Sequence, residues 1–289
     1  MQEPQKRALL IAGPTASGKS ALALDLARKW NGVIVNADAL QVYAPLRILS
    51  ARPLAQEEAL VPHRLYGHLG GATRYSVAAW MEEATRELAA AWEQGLLPIV
   101  TGGTGLYFRA LERGLAPVPQ VPDEIRNRWR NFAGDLHGEL WRRDTAMAVR
   151  LLPSDRQRLA RALEVIEATG RSLLDWQAEG HTQAPLAGIG IERITMEVPR
   201  DELYQRAELR FDRMLRAGAL EEARAVMDHD PKLPMMKAIG VPELLAHLRG
   251  EIPLAEAAAQ AKTATRNYIK RQLTWWRGQM PRWGKDVVQ

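Results

Sequence analysis

The sequence predicts an α/β fold: a parallel P-loop sheet flanked by helices, with an all-α insertion domain and a helical C-terminal region. Three observations carry this reading. Short continuous apolar runs, the mark of strands buried on both faces, recur ahead of helical patterns. The first run opens into Gly13-Pro14-Thr15-Ala16-Ser17-Gly18-Lys19-Ser20, the G-x-x-x-x-G-K-[ST] spacing of a phosphate-binding loop. Near Gly114 the composition changes: Pro117, Pro119 and Pro122 punctuate the chain, and helical patterns then dominate to about Gly180. The expected division is residues 1–115 as the first part of the core, 116–185 as the insertion, and 186–289 as core completion with basic C-terminal helices.

The loop has the neighbours its chemistry needs. Ala8-Leu9-Leu10-Ile11-Ala12 reads as a buried parallel strand, and Ser20 to Trp30 as a helix closed by Asn31-Gly32. Gly13 and Gly18 let successive N–H groups converge on phosphate oxygens at a helix N-terminus. Lys19 supplies a point charge, and the Ser20 hydroxyl suits a magnesium ion. Motif and context leave open which phosphorylated compound is held.

Val33-Ile34-Val35 is the second strand and leads to Asp38, at the edge of an α/β sheet where ligands bind. Asp38 suits a magnesium partner, a ribose contact or a general base, and equally a turn cap. From Ala44 to Ala72 the pattern is loop-like, with scattered basic residues Arg47, Arg52, His63, Arg64 and His68. A helix over Ser76 to Gln94 and a strand over Leu96 to Val100 follow, the strand running into Thr101-Gly102-Gly103-Thr104-Gly105. Thr101 and Thr104 bring hydroxyls to the same sheet edge as the phosphate loop, unless the glycines merely serve a tight βα turn.

Within the insertion, Pro153-Ser154-Asp155-Arg156-Gln157 has the S-x-x-Q form of a capping box and starts a helix through Ile166. Leu159, Leu163 and Ile166 share one face; Gln157, Arg158 and Arg161 lie off it. Ile191 to Val198 resumes an extended pattern. The helix from Asp201 to Ala217 carries Arg206, Arg210 and Arg213 opposite its apolar spacing, all three candidates for diphosphate oxygens. The last helix pairs Ile269, Leu273 and Trp276 with Arg266, Lys270 and Arg277. Arg282 and Lys285 continue the charge, with Trp275 and Trp283 interleaved, a footprint that suits nucleic acid.

Composition narrows the class further. A formal net charge of +5 with a pI near 9.6 leans towards an acidic partner. The chain has no cysteine, which excludes a disulfide framework and thiolate metal sites. The start lacks the apolar core of a signal peptide and no run spans a bilayer, so a soluble cytoplasmic protein without membrane partners is expected. No apolar run ending in Asp or Asp-Glu, of the kind that holds nucleotide magnesium, follows the second strand, which weighs against an ATPase.

The phosphate loop, Asp38-Ala39-Leu40-Gln41-Val42-Tyr43 and Gly102-Gly103-Thr104-Gly105-Leu106-Tyr107 come in the order and approximate spacing of the tRNA dimethylallyltransferases. Gln157 to Val165, Lys237-Ala238-Ile239-Gly240 and Ala264 to Trp275 are similar to that family's downstream segments, and the resemblance, to the bacterial type without a zinc-finger extension, covers nearly the whole chain.

The resemblance implies transfer of a dimethylallyl group from dimethylallyl diphosphate to N6 of the adenosine 3′-adjacent to the anticodon, with Mg²⁺; a monomer is expected, though the sequence does not itself give the oligomeric state. Asp38 would be the base, with Thr101 and Arg206 as further catalytic residues. Residues 13–20 would hold the diphosphate, and Ser20 would place the metal. Asp38, Ala39, Leu40, Gln41, Thr104, Gln157, Arg158, Leu159, Ala160, Arg161, Lys237, Ala238, Ile239, Gly240, Arg266 and Lys270 would contact the tRNA anticodon stem-loop.

The chain departs from the family pattern in three places. Ala39 stands where Ser is common, Arg47 to Pro53 replaces Asp-Ile-Gly-Thr-Ala-Lys-Pro, and Val241 replaces a Tyr. The rivals are an adenylate isopentenyltransferase acting on free nucleotide, a P-loop nucleotide kinase that binds ATP, and a basic RNA-binding module with a vestigial loop.

Overall fold

The structure, a computed structural model, describes residues 6–280 and Trp283; Arg282 and Lys285 lie outside the described residues. In chain order the first elements are β1 (Arg7–Ala12), α1 (Lys19–Lys29), β2 (Gly32–Asn36), α2 (Ala55–Leu60), β3 (His63–Arg64), α3 (Val77–Glu93), β4 (Leu97–Gly102) and α4 (Gly105–Arg113). There follow α5 (Asp123–Asn131), α6 (Leu136–Arg143), α7 (Thr145–Ala148), α8 (Arg156–Thr169) and α9 (Leu173–Ala178). The chain closes with β5 (Gly190–Thr195), α10 (Arg200–Arg216), α11 (Ala219–Ala225), a 3₁₀ turn (Pro234–Lys237), α12 (Val241–Leu248) and α13 (Leu254–Gln279).

Two compact units result. One comprises the residues up to Glu112 with those from Pro185 onward; the other is Arg113–Ala184. The larger unit holds one parallel sheet in the order β3-β2-β4-β1-β5. The period of two along each strand divides its side chains between two cores. Leu10, Ala12, Val35 and Val100 face Trp80, Ala84 and Leu88 of α3. Leu9, Ile11, Ile34 and Ile99 face Ala23 and Ala27 of α1. With helices on both faces, every strand end that could carry a ligand opens on the same carboxyl edge. Among the described residues no helix is long and apolar enough to cross a membrane.

The segment from Ala44 to Ala72 is more structured than its loop-like composition predicts. It contains α2 and the two-residue edge strand β3, whose lengths are too short to produce a periodic signal. It is also tied down from elsewhere: the Glu222 carboxylate of α11 accepts the backbone N–H groups of Arg47 (2.6 Å), Ile48 (2.8 Å) and Leu49 (2.7 Å). Gln41 Nε2 donates to the Ser50 and Ala51 carbonyls. The departure from the family pattern over Arg47 to Pro53 is thus an ordered loop.

The smaller unit packs α5, α6, α7 and α8 around Trp129, Leu136, Leu140, Met147, Leu159 and Leu163. Asp155, rather than Ser154, caps α8, its carboxylate accepting the Arg158 N–H at 3.2 Å. An aspartate one residue nearer the helix wins because a carboxylate satisfies the orphan donors and also complements the helix dipole. Gly170 ends α8 at φ +66°, the left-handed conformation a C-terminal glycine supplies. The unit's two chain ends meet: Leu115 N–H donates to Thr182 Oγ1 (3.2 Å) and Thr182 N–H to the Leu115 carbonyl (2.8 Å).

Candidate active site

The site sits at the carboxyl edge of β1, β2 and β4. Gly18, at φ +92°, turns the phosphate loop into α1, a conformation that L side chains rarely adopt. Lys19 Nζ folds back onto the Pro14 carbonyl at 3.2 Å. Thr15 is engaged twice, its N–H by Gln272 Oε1 at 3.0 Å and its hydroxyl by the Arg210 guanidinium. The hydroxyls of Ser17 and Thr101 are buried without a hydrogen-bond partner, a costly state that a bound acceptor would relieve.

Asp38 is positioned by its own turn. Asn36, fully buried at the end of β2, accepts the Asp38 N–H at 2.8 Å and donates to the Asp38 and Leu65 carbonyls. The Trp80 indole N–H holds the Asn36 carbonyl at 2.9 Å, and Trp80 is itself stacked on Tyr107. Asp38 Oδ1 accepts the Leu40 N–H at 3.0 Å, so the turn-capping role is real. Oδ2 lies towards Gly103, 3.6 Å from where a Cβ would stand. Thr104 Oγ1 accepts the Ala39 N–H at 3.0 Å, so Thr104 acts on the Asp38 turn. Packed against the aromatic core, Ala39 sits where a serine hydroxyl would need a partner.

One pocket joins these groups. Thr15, Asp38, Arg210 and Tyr268 line it beside an apolar wall that includes Leu40, Leu49, Phe211, Met214 and Ile239. Burial pulls Lys19 down to about 8, against the attraction of Asp38, which opposes the fall. Arg210 is likewise lowered by burial and supported by Asp38. Burial, with the Asp38 charge adding to it, raises Tyr66, Tyr107 and Tyr268 and keeps all three phenols neutral. Lys19 and Arg210 thus both lie in the field of the Asp38 carboxylate, at half-buried positions where each interaction is stronger than at the open surface.

Several expected contacts fall elsewhere. Arg206 is exposed and ion-paired with Glu202 one turn back on α10, whereas Arg210, one turn on, reaches the loop. The helical spacing offers both, and only the rotation of α10 chooses between them. Leu159 and Ala160 are buried in the smaller unit's core, and Ala238 and Gly240 in that of the larger one. Apolar packing, with the Leu49 and Phe211 side chains against Gly240, turns these four towards their own cores instead of an exposed face. Gln157, Arg158, Lys237 and Lys270 are exposed. Arg161 pairs with the buried Glu164 (3.3 Å), and Arg266 pairs with Glu208. Ile239 lines the pocket.

Asn36, Glu222 and Gln272 carry site geometry that motif spacing does not reveal. For Asn36 there is one signal, an amide closing an otherwise apolar strand.

Comparison with known proteins identifies the family. A family profile described as IPP transferase matches residues 41–279, and one described as isopentenyl transferase matches residues 6–69. A tRNA dimethylallyltransferase of Azorhizobium caulinodans is 53% identical over 283 residues, covering 96% of this chain and 90% of that protein. One from Rhodospirillum centenum is 53% identical over 279 residues, covering 94% and 88%. Among solved structures, a tRNA isopentenylpyrophosphate transferase of Bacillus halodurans is 31% identical at a TM-score of 0.68, covering 99% of this chain and 89% of that one. A eukaryotic dimethylallyltransferase acting on tRNA superposes at 0.80 with 27% identity, covering 94% and 70%. With the profile spanning most of the chain and such identity over nearly its full length, this chain belongs to the IPP transferase family, that of the tRNA dimethylallyltransferases.

Proposed function

We propose that this chain transfers a dimethylallyl group from dimethylallyl diphosphate to N6 of the adenosine 3′-adjacent to the anticodon in tRNA. The observation that carries it is one pocket in which Asp38, the phosphate-loop residue Thr15 and Arg210 stand beside an apolar wall of Leu40, Leu49, Phe211, Met214 and Ile239, the surroundings an allylic chain needs.

The groups present account for each step. The adenine N6 lone pair attacks the allylic carbon, the C–O bond breaks, and the diphosphate leaves with the bonding electrons. Asp38 accepts the N6 proton through Oδ2. Loop N–H groups, Lys19 and Arg210 neutralise the charge that develops on the leaving oxygens, and the buried hydroxyls of Ser17 and Thr101 gain the acceptors they lack. An exocyclic adenine amine is a poor nucleophile, so a positioned base and a stabilised leaving group are the two effects needed. The adenine must leave the anticodon stack to reach Asp38.

Magnesium fits this donor set. Among the described residues no group of three or more His, Asp or Glu side chains could cage a metal. A hydroxyl such as Ser20, with diphosphate oxygens and water, is how this small hard cation is commonly held. It would offset leaving-group charge. Gln157, Arg158 and Arg161 on the smaller unit, and Lys237, Arg266 and Lys270 on the larger, supply cations and an amide for the anticodon stem-loop backbone.

The test is direct. Protein, magnesium and labelled dimethylallyl diphosphate are incubated with an anticodon stem-loop bearing adenosines 3′ of the anticodon. Label in the RNA, abolished by Asp38→Asn, supports both reaction and base. Label entering only AMP or ADP moves the assignment to the free-nucleotide enzyme.

A further inference from the structure

Gln272 lies on α13, far in sequence from every motif at the site, and is 5% exposed. Its carboxamide meets two turns that end two different strands. Oε1 accepts the Thr15 N–H of the phosphate loop at 3.0 Å, and Nε2 donates to the Gly103 carbonyl at 3.0 Å. The orientation is determined, because exchanging oxygen and nitrogen would set donor on donor at Thr15 and acceptor on acceptor at Gly103. The fit at Gly103 is close: a Cβ there would stand 2.4 Å from Gln272 Nε2.

These two turns belong to opposite ends of the reaction. Thr15 sits on the leaving-group side, where it also receives Arg210. The Gly103 turn sits on the base side: Asp38 Oδ2 borders it, and the adjoining Thr104 is bonded to Ala37 and Ala39 on either side of Asp38. The Thr15 N–H is a single donor already used by Gln272, so its contribution is structural, and diphosphate oxygens take the later amides of the loop.

We infer that Gln272 is a positioning residue that locks the diphosphate loop to the turn beside Asp38, fixing the distance between leaving group and base through its two amide hydrogen bonds. The inference rests on the function proposed above. Its kinetic meaning follows from geometry. Each substrate binds its own end, and the amide sets only how the ends stand to one another, where a misplacement of about 1 Å costs on the order of 100-fold in rate.

The experiment compares full-length wild type with Gln272→Met, which keeps volume but removes both hydrogen bonds, and with Gly103→Ala, which pushes the amide away. Single-turnover transfer, stem-loop affinity and inhibition by inorganic diphosphate are measured for each. The expected result is a fall in kcat of about 10- to 100-fold in both variants. Stem-loop Kd and diphosphate Ki should stay within about threefold, since neither ligand's own contacts are touched. An unchanged kcat in both variants overturns the inference, as does a fall matched by equal losses in Ki or Kd. If Gln272→Met does not fold, Gln272→Asn, one methylene too short to reach both turns at once, decides by the same criterion, because an alanine at Gly103 also stands 3.6 Å from Asp38 Oδ2. Wild type that transfers no label to RNA defeats the proposed function instead, an outcome separate from either variant's behaviour.

Discussion

The Arg210 guanidinium donates to the hydroxyl of Thr15, joining the third turn of α10 to the phosphate loop across most of the chain. Arg206, on the same helix, is occupied by Glu202 at the surface. Of the two, Arg210 is the one that reaches the phosphate loop, which makes it the candidate for diphosphate recognition on this side. Arg210→Ala should lower kcat/KM for the diphosphate donor by about 100- to 1,000-fold, the range for losing one charged donor at a developing oxyanion. Arg206→Ala should stay within about threefold, because an exposed ion pair contributes little. Parallel donor titrations of the two variants check this; equal losses would return Arg206 to the site.

Asp38→Asn retains an oxygen for the Leu40 N–H and the volume of the side chain, and removes only the basic charge. Turnover should fall by about 100- to 10,000-fold while stem-loop affinity changes little. A collapse of RNA binding in an equilibrium assay would show that Asp38 serves the fold of its turn first.

Lys19 supplies the pH dependence. Burial holds it at about 8 instead of the ordinary 10.5, so its positive charge is lost as pH rises through about 8. Donor affinity should fall across that window, and Lys19→Met should flatten the profile while weakening affinity throughout. The effect on folding has the opposite sign. Between about 8 and 10.5 the unfolded chain holds the proton that the native chain has released, so native stability rises with pH there. Denaturant titrations of wild type and Lys19→Met at pH 7 and 9 should show the wild type gaining relative to the variant.

The smaller unit hides a charge. Glu164 is buried at 1% exposure between Arg130 (2.9 Å) and Arg161 (3.3 Å). Removing Arg161 alone leaves Arg130 in place, so Arg161→Ala should cost little stability and reduce the salt slope of RNA binding by about 1. The double variant Arg130→Ala/Arg161→Ala strands a buried carboxylate and should destabilise this unit by about 3–5 kcal/mol. Denaturant unfolding of the two variants, followed by far-ultraviolet circular dichroism, separates the two cases.

What was legible in the sequence is what depends on neighbours in the chain. The loop from Gly13 to Ser20, Asp38 after β2 and Thr101 at the end of β4 declare themselves because a buried strand followed by a polar turn leaves a local pattern. The bridge made by Gln272 and the three amides gathered by Glu222 leave none, since each depends on how a distant helix is rotated against the sheet. Arg210 shows the boundary: helical spacing puts it on one face with Arg206 and Arg213, and tertiary packing decides which of them reaches the loop. Leu159, Ala160, Ala238 and Gly240 are buried where the resemblance implies an exposed face, for a related reason. A segment that resembles an RNA-contacting one also contains the residues that hold it to its own core.

The pair of hydrogen bonds between Leu115 and Thr182 makes the stretch they enclose separable from its host. A stretch whose two ends are clasped together is a cassette. It interrupts its host at one point, demands almost no span from the connection, and is replaceable by a tight turn. The sheet and its chemistry neither gain nor lose a strand by its presence. Exchange of this one contiguous block would leave every strand of the sheet, and Thr15, Asp38 and Arg210 with it, in the host chain.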